Sequence, residues 1–194
     1  WVRGGIDEPG RPEKIKLKLP ADVRMESAPE GTTISDLIDR GEIDGFMAPR
    51  APSGAARRNP DVGWLFDDPT AAAKDYYKRT GIFPIMHVLG VRKALAEQHP
   101  WLPGALLKAF EASKAAALAK LEDTSATKVT LPFVEEQLKA AKETLGENFW
   151  AYGVDASRPT LEAFVRAHFE QGLSSRRVQV DEMFHPSTYE GFKI

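Results

Sequence analysis

The hydrophobic and polar positions divide the chain into two stretches of different texture. Over residues 1–90, short apolar runs alternate with turn formers. Lys14-Ile15-Lys16-Leu17-Lys18-Leu19 alternates charged and apolar with period two, which predicts a half-buried strand. Thr33-Ile34-Ser35-Asp36 places a hydroxyl N-cap three residues before an acid and opens a short helix that Gly41 ends. Ile43-Asp44-Gly45-Phe46-Met47-Ala48 reads as a buried strand stopped by Pro49, and residues 49–60, rich in Pro, Gly, Ala, Arg and Asn, as a loop. Val62–Phe66 reads as another short strand, Thr70–Arg79 as a helix ended by Gly81, and Ile82–Val91 as the longest strand-like run. Strands alternating with helices predict an α/β sheet.

The second stretch is predicted to be nearly all helix. Leu106, Phe110, Ser113, Ala117 and Leu121 recur at steps of three or four, one stripe of a long helix with Pro100 and Pro103 near its start. Pro132–Leu145 predicts a second helix closed by Gly146. Leu161, Phe164, Val165, His168 and Phe169 follow the i, i+3, i+4, i+7, i+8 pattern, with Ser157 as N-cap and Gly172 as the stop. Asp181–Phe184 and Pro186–Tyr189 read as single terminal turns.

Composition narrows the class. Among 194 residues, 26 are basic and 28 acidic, giving a net charge of -2. That balance supplies no clustered cationic surface for nucleic acid, and none is expected as a partner. Cysteine is absent, so disulfides, thiolate zinc sites and a Cys nucleophile are excluded. No run approaches the roughly 18–20 apolar residues that span a bilayer, so no membrane partner is expected either. Trp1-Val2 before Arg3-Gly4-Gly5 reads as the end of a buried strand entering a loop, and the chain as a fragment lacking its N-terminal part.

The usual catalytic signatures are missing: there is no Gly-x-Ser-x-Gly elbow, phosphate-cradling Gly-rich loop or His-Glu-x-x-His helix. His87, His99, His168 and His185 lie far apart and show no metal-ligand spacing, so no metal is expected. Polar residues at strand ends remain, where open α/β sheets bind ligands. Arg3 follows Trp1-Val2, and Arg50 follows Ala48-Pro49. Two guanidinium forks facing one crevice suit an anion, particularly a carboxylate held bidentately; two surface arginines near turns are the alternative. His87 lies in the apolar run Gly81–Val88. It is either a hydrogen-bonded core residue or a proton donor and acceptor in a closed cleft. His168, on the apolar face of its helix, reads as structural, and His99 and His185, each before a proline, as helix-boundary residues. Tyr76 and Tyr77 fit packing as well as binding.

Several segments together carry a resemblance. They are Trp1-Val2-Arg3-Gly4-Gly5, Gly41-Glu42-Ile43-Asp44-Gly45 running to Ala48-Pro49-Arg50-Ala51-Pro52, and Asp75-Tyr76-Tyr77 followed by Arg79–His87. His99-Pro100-Trp101, Phe149-Trp150-Ala151-Tyr152-Gly153 and His168–Leu173 add to them. In this order they resemble the bacterial 4,5-dihydroxyphthalate decarboxylase family over nearly the whole chain. The motifs holding Arg50 and His87 are the most specific. The resemblance implies a fold like that of type 2 periplasmic binding proteins, in which two α/β lobes joined by crossing strands close over a ligand. Residues 1–85 would belong to the second lobe. Residues 86–194 would supply the crossing strand, centred on 82–90, and a mainly helical return to the first lobe.

The implied reaction converts 4,5-dihydroxyphthalate to protocatechuate and carbon dioxide without a cofactor. The resemblance makes Arg3 and Arg50 carboxylate anchors, with Ser53 in the same loop as a further binding residue, and His87 the acid/base. Tyr77 and Phe83 are candidates for ring contact. The implied partner is a small aromatic carboxylate and the implied compartment the cytoplasm, with homo-oligomerisation open. A solute-binding protein of an ABC-type transporter, periplasmic and non-catalytic, is the alternative, and a regulatory ligand-sensing domain a third reading, because function lives in the site and not in the fold.

Overall fold

Backbone hydrogen bonds at the end of the first strand organise the N-terminal half. A computed structural model describes residues 1–10, 18–54, 56–125 and 129–189. Strand β1 (Val2–Arg3) pairs in parallel with β2 (Glu26–Ser27), Val2 opposite Glu26 and Arg3 opposite Ser27. The chain then turns through Gly4 and Gly5. A Cβ on Gly5 would lie 1.9 Å from the Glu8 carbonyl oxygen, and one on Gly4 would press on Ala28 and Ile34 at 3.1 Å, so this turn requires glycine.

Helix α1 (Ile34–Asp39) begins with the predicted cap. The Thr33 side chain accepts from the Asp36 N–H at 3.0 Å, while Asp36 Oδ2 accepts from the Thr33 N–H at 2.9 Å. The two remaining donors of the first turn are met from the β1 loop. Ile34 N–H donates to Gly5 O at 2.9 Å and Ser35 N–H to Ile6 O at 3.0 Å. Arg40 caps the other end, and Gly41, at φ +66°, turns the chain away as expected.

The remaining helices are α2 (Pro69–Thr80), α3 (Lys93–Gln98), α4 (Leu102–Glu122), α5 (Val134–Leu145) and α6 (Val154–Glu170). Single 3-10 turns follow at Val180–Glu182 and Pro186–Thr188. The chain divides into two units, one of Trp1–Pro69 with Glu170–Ser175 and the other of Thr70–Phe169 with Arg176 onward. In the first, Ile34, Leu37 and Ala56 are buried. In the second, Val154, Leu161, Val165 and Val180 form a cluster against which Phe184 and Tyr189 pack. Lys114, its side chain 10% exposed, ties α4 to the Phe149–Gly153 segment. It pairs with Glu111, donates to Asn148 Oδ1 and Trp150 O, and lies 4.5 Å from the centre of the Tyr152 ring.

The class is α/β, but among the described residues the sheet has two short strands. The strands predicted at 43–48, 62–66 and 82–91 are not formed. Their apolar composition is right for a sheet, but no neighbouring chain supplies ladder hydrogen bonds among the described residues, and a strand exists only by pairing. Met47, Leu65 and Met86 consequently stand 85%, 89% and 73% exposed. Of the strand predicted at 14–19, Lys14–Leu17 lie outside the described residues, and Lys18 and Leu19 are irregular. Helix α6 starts at Val154 and not after a Ser157 cap. Burial of Val154 carries the helix four residues further back, with Pro159 inside it at the loss of one N–H donor. Helix α3 is an element the periodicity did not predict.

Leu161→Ala is expected to lower unfolding free energy by about 2–5 kcal/mol, and Thr33→Ala by about 1 kcal/mol. Urea titration measures both. Equal losses would contradict the distinction between a packed cluster and a helix cap.

Candidate functional site

Of the predicted site residues, Arg3, Arg50 and Ser53 belong to the first unit and Tyr77, Phe83 and His87 to the second. Arg3 leaves β1 half-buried, and its Nη2 donates to Ser27 Oγ across the strand pair at 3.2 Å. The pairing of the two strands therefore orients this guanidinium.

Arg50 and Ser53 sit in the 49–60 segment, which forms the predicted loop. It is tied down at three points. Asp7 Oδ1 accepts from the Ser53 N–H at 3.1 Å. Ala56 is buried to 1% exposure. Asn59 Nδ2 donates to the backbone oxygen and Oδ1 of Asp39 at 3.0 Å each, while Asn59 Oδ1 accepts from the Asp61 N–H. The same Asp7 oxygen accepts from Ser35 Oγ at 2.7 Å, so one carboxylate joins the loop to the first turn of α1. The Ser35 hydroxyl first, then Ser53, with the through-space pull of Arg50 smaller, holds the Asp7 carboxyl below its ordinary value of 3.8.

In the second unit, Tyr77 is half-buried on α2, and its carbonyl accepts from Gly81 N–H at 2.7 Å. The Phe83 N–H donates to Thr160 Oγ1 on α6 at 3.1 Å, and its ring meets Trp150 edge-on with centroids 5.5 Å apart. This contact pins the start of the 82–90 segment. His87, four residues on, is exposed. His168 stacks tilted on Phe164, His99 caps the end of α3, and His185 caps the last 3-10 turn, matching the structural roles expected of them.

Among the described residues no three His, Asp or Glu side chains come together as a metal site requires. No helix there is long and apolar enough to cross a membrane. An open groove of about 470 Å³ runs along α4 and α5, lined in part by Leu121, Leu138 and Lys142. Lys142 is engaged there by Glu122 and Glu147, and none of the predicted site residues lines the groove.

No protein-family model matches the chain. Over all 194 residues it is 58% identical to a curated protein named 4,5-dihydroxyphthalate decarboxylase from Comamonas testosteroni. A second protein of that name, from Pseudomonas putida, is 53% identical over 78 residues, 40% of this chain and 30% of that protein. Over its whole length the chain is thus similar to a curated 4,5-dihydroxyphthalate decarboxylase. It spans 59% of the length of the Comamonas relative.

The tie that sequence reasoning missed is the one made by Asp7. The signal was present: Asp7 follows the Gly4-Gly5 turn at the end of the strand that carries Arg3, where α/β ligand sites gather. What could not be read was its reach to Ser35 and Ser53, 28 and 46 positions away.

A lowered carboxyl value means that the folded state favours the ionised form. The stabilisation by Asp7 is therefore present above the unfolded value of 3.8 and is lost as the pH falls through the lower folded value. The difference in urea midpoint between wild type and Asp7→Ala is expected to be level near neutrality and to shrink only on acidification below that range. A difference that widens on acidification would contradict this arrangement.

Proposed function

We propose that this chain is part of an enzyme that decarboxylates 4,5-dihydroxyphthalate to protocatechuate and carbon dioxide, within a fold like that of type 2 periplasmic binding proteins. Residues 1–85 are read as belonging to the second lobe, and 86–194 as the crossing segment and helical return. The observation that carries the proposal is the 58% identity, unbroken in coverage over 194 residues, to a protein named for that activity. Both relatives are named as enzymes, which favours catalysis over solute capture. We place the enzyme in the cytoplasm on the same ground.

The chemistry explains the residue types. Each carboxylate of the substrate is para to one hydroxyl. Removing that phenolic proton pushes electron density onto the carbon bearing the carboxylate, which takes up a proton and leaves a dienone. The carbon–carbon bond to the carboxylate then breaks, its electron pair returns to the ring, carbon dioxide departs and the phenolate is regenerated. The ring keeps the added proton and the oxygen recovers its own. No electrons are exchanged with a second molecule.

In this reading His87 moves the proton, because an imidazole carries one nitrogen that can accept a proton and one that can donate it. Its exposure fits a group that must meet substrate and exchange protons with solvent between turnovers. Arg3 and Arg50 hold carboxylate, Ser53 adds a polar contact, and Phe83 and Tyr77 meet the ring. An anchor on the departing carboxylate would stabilise the ground state, so the arginines grip the carboxylate that stays.

In the full-length protein, incubation with 4,5-dihydroxyphthalate is expected to release protocatechuate, followed by chromatography. Binding without product would replace the enzyme by a receptor. Arg50→Gln is expected to weaken phthalate binding by about 2–5 kcal/mol in calorimetry, and an unchanged affinity removes Arg50 from the site. His87→Asn is expected to cut turnover far more than binding, and equal turnover removes His87 from the reaction.

A further inference from the structure

Among its described residues, the 49–60 loop has no regular structure of its own to hold it. Pro49, Pro52 and Pro60 cannot donate backbone hydrogen bonds, and Gly54 sits at φ +62°. A long arginine on such a loop would lose much conformational freedom on binding an anion, and that loss subtracts directly from affinity. The attachments nearest to Arg50 therefore matter most. Ala56 and Asn59 lie six and nine residues beyond it, whereas Ser53 lies three beyond it and is held by Asp7.

Asp7 is well built for this. Its Oδ1 bridges a backbone donor on the loop and a hydroxyl on α1. Ser35 is itself buried, and its N–H is bound to Ile6 O, so the helix end of the bridge does not move independently of the segment that carries Asp7. Neutral donors take up the carboxylate oxygen, while Arg50 acts on it through space as the weakest of the named influences. Among the described residues Asp7 hydrogen-bonds to Ser35 and Ser53, and the bond to Ser53 holds the loop three residues from Arg50.

We propose that Asp7 is a positioning residue: by fastening Ser53 to Ser35 it holds the Arg50 loop in the conformation that binds an aromatic carboxylate. This rests on the functional reading above. The acceptor oxygen is what the role needs, so asparagine, which retains one, substitutes for aspartate, and alanine does not.

Two readouts in the full-length protein test it. Trypsin cutting at Arg50, Arg57 and Arg58, mapped by mass spectrometry, reports the loop without any ligand. Phthalate affinity and the KM and kcat for 4,5-dihydroxyphthalate report the site. In Asp7→Ala, cutting is expected to be about fivefold faster or more and both Kd and KM about tenfold higher, with kcat within about threefold. Asp7→Asn is expected to bring both readouts most of the way back. If Asp7→Ala does not fold, Ser35→Ala removes the helix side of the same bridge and is expected to shift both in the same direction. Unchanged cutting overturns the proposal. So does faster cutting with unchanged phthalate affinity, or an asparagine variant as impaired as alanine. Wild-type phthalate affinity in Arg50→Gln overturns the functional reading instead, while the trypsin result still decides whether Asp7 fastens the loop.

Discussion

The first turn of α1 is the constraint on which the rest of the N-terminal unit depends. A helix begins with four backbone donors that its own carbonyls cannot reach. Here the Asp36 carboxylate serves Thr33, the Thr33 hydroxyl serves Asp36, and Gly5 O and Ile6 O serve Ile34 and Ser35. Meeting those donors from the loop after β1 brings that loop against the helix, and only glycine fits the turn that delivers it. Asp7, the next residue, is thereby placed where it can reach both Ser35 and Ser53. A requirement of backbone hydrogen bonding thus settles where the strand end, the helix and the arginine loop meet.

Local features of the chain were legible where their cause is local. The Thr33–Asp36 capping box, the Gly41, Gly81 and Gly146 stops, and the helices at 69–80, 102–122 and 134–145 depend on neighbours within a few positions. The strands were not, because a strand is a relation between distant segments. The runs at 43–48 and 82–91 have the composition of strands and lack the pairing. The start of α6 was misplaced for a similar reason: burial of Val154 against Leu161, Val165 and Val180 outweighs the Ser157 cap signal for a later start.

The candidate site divides along the same line. Arg3 could be named from its place at the end of β1, and the loop at 49–60 that carries Arg50 from its prolines and glycine, although the strand expected before Arg50 is not formed. Asp7 could not be given a task, because its meaning lies in two hydrogen bonds that span much of the unit. His87 was ambiguous in the sequence for the opposite reason. An apolar neighbourhood along the chain implied burial, yet with no strand formed its neighbours Ile85, Met86 and Val88 are exposed with it.

A decarboxylation of this type makes unequal demands on the two carboxylates of its substrate. The one that stays can be held firmly throughout, whereas any hold on the one that leaves must weaken before the bond breaks. A bidentate guanidinium held by its backbone suits the first demand, since its cost in ordering is met before the ligand arrives. A group that only exchanges protons suits the second, since it needs proximity but no lasting grip on the leaving carboxylate. In the proposed reading, Arg50, on a loop fastened through Ser53, meets the first demand, and His87, exposed on an irregular segment, the second.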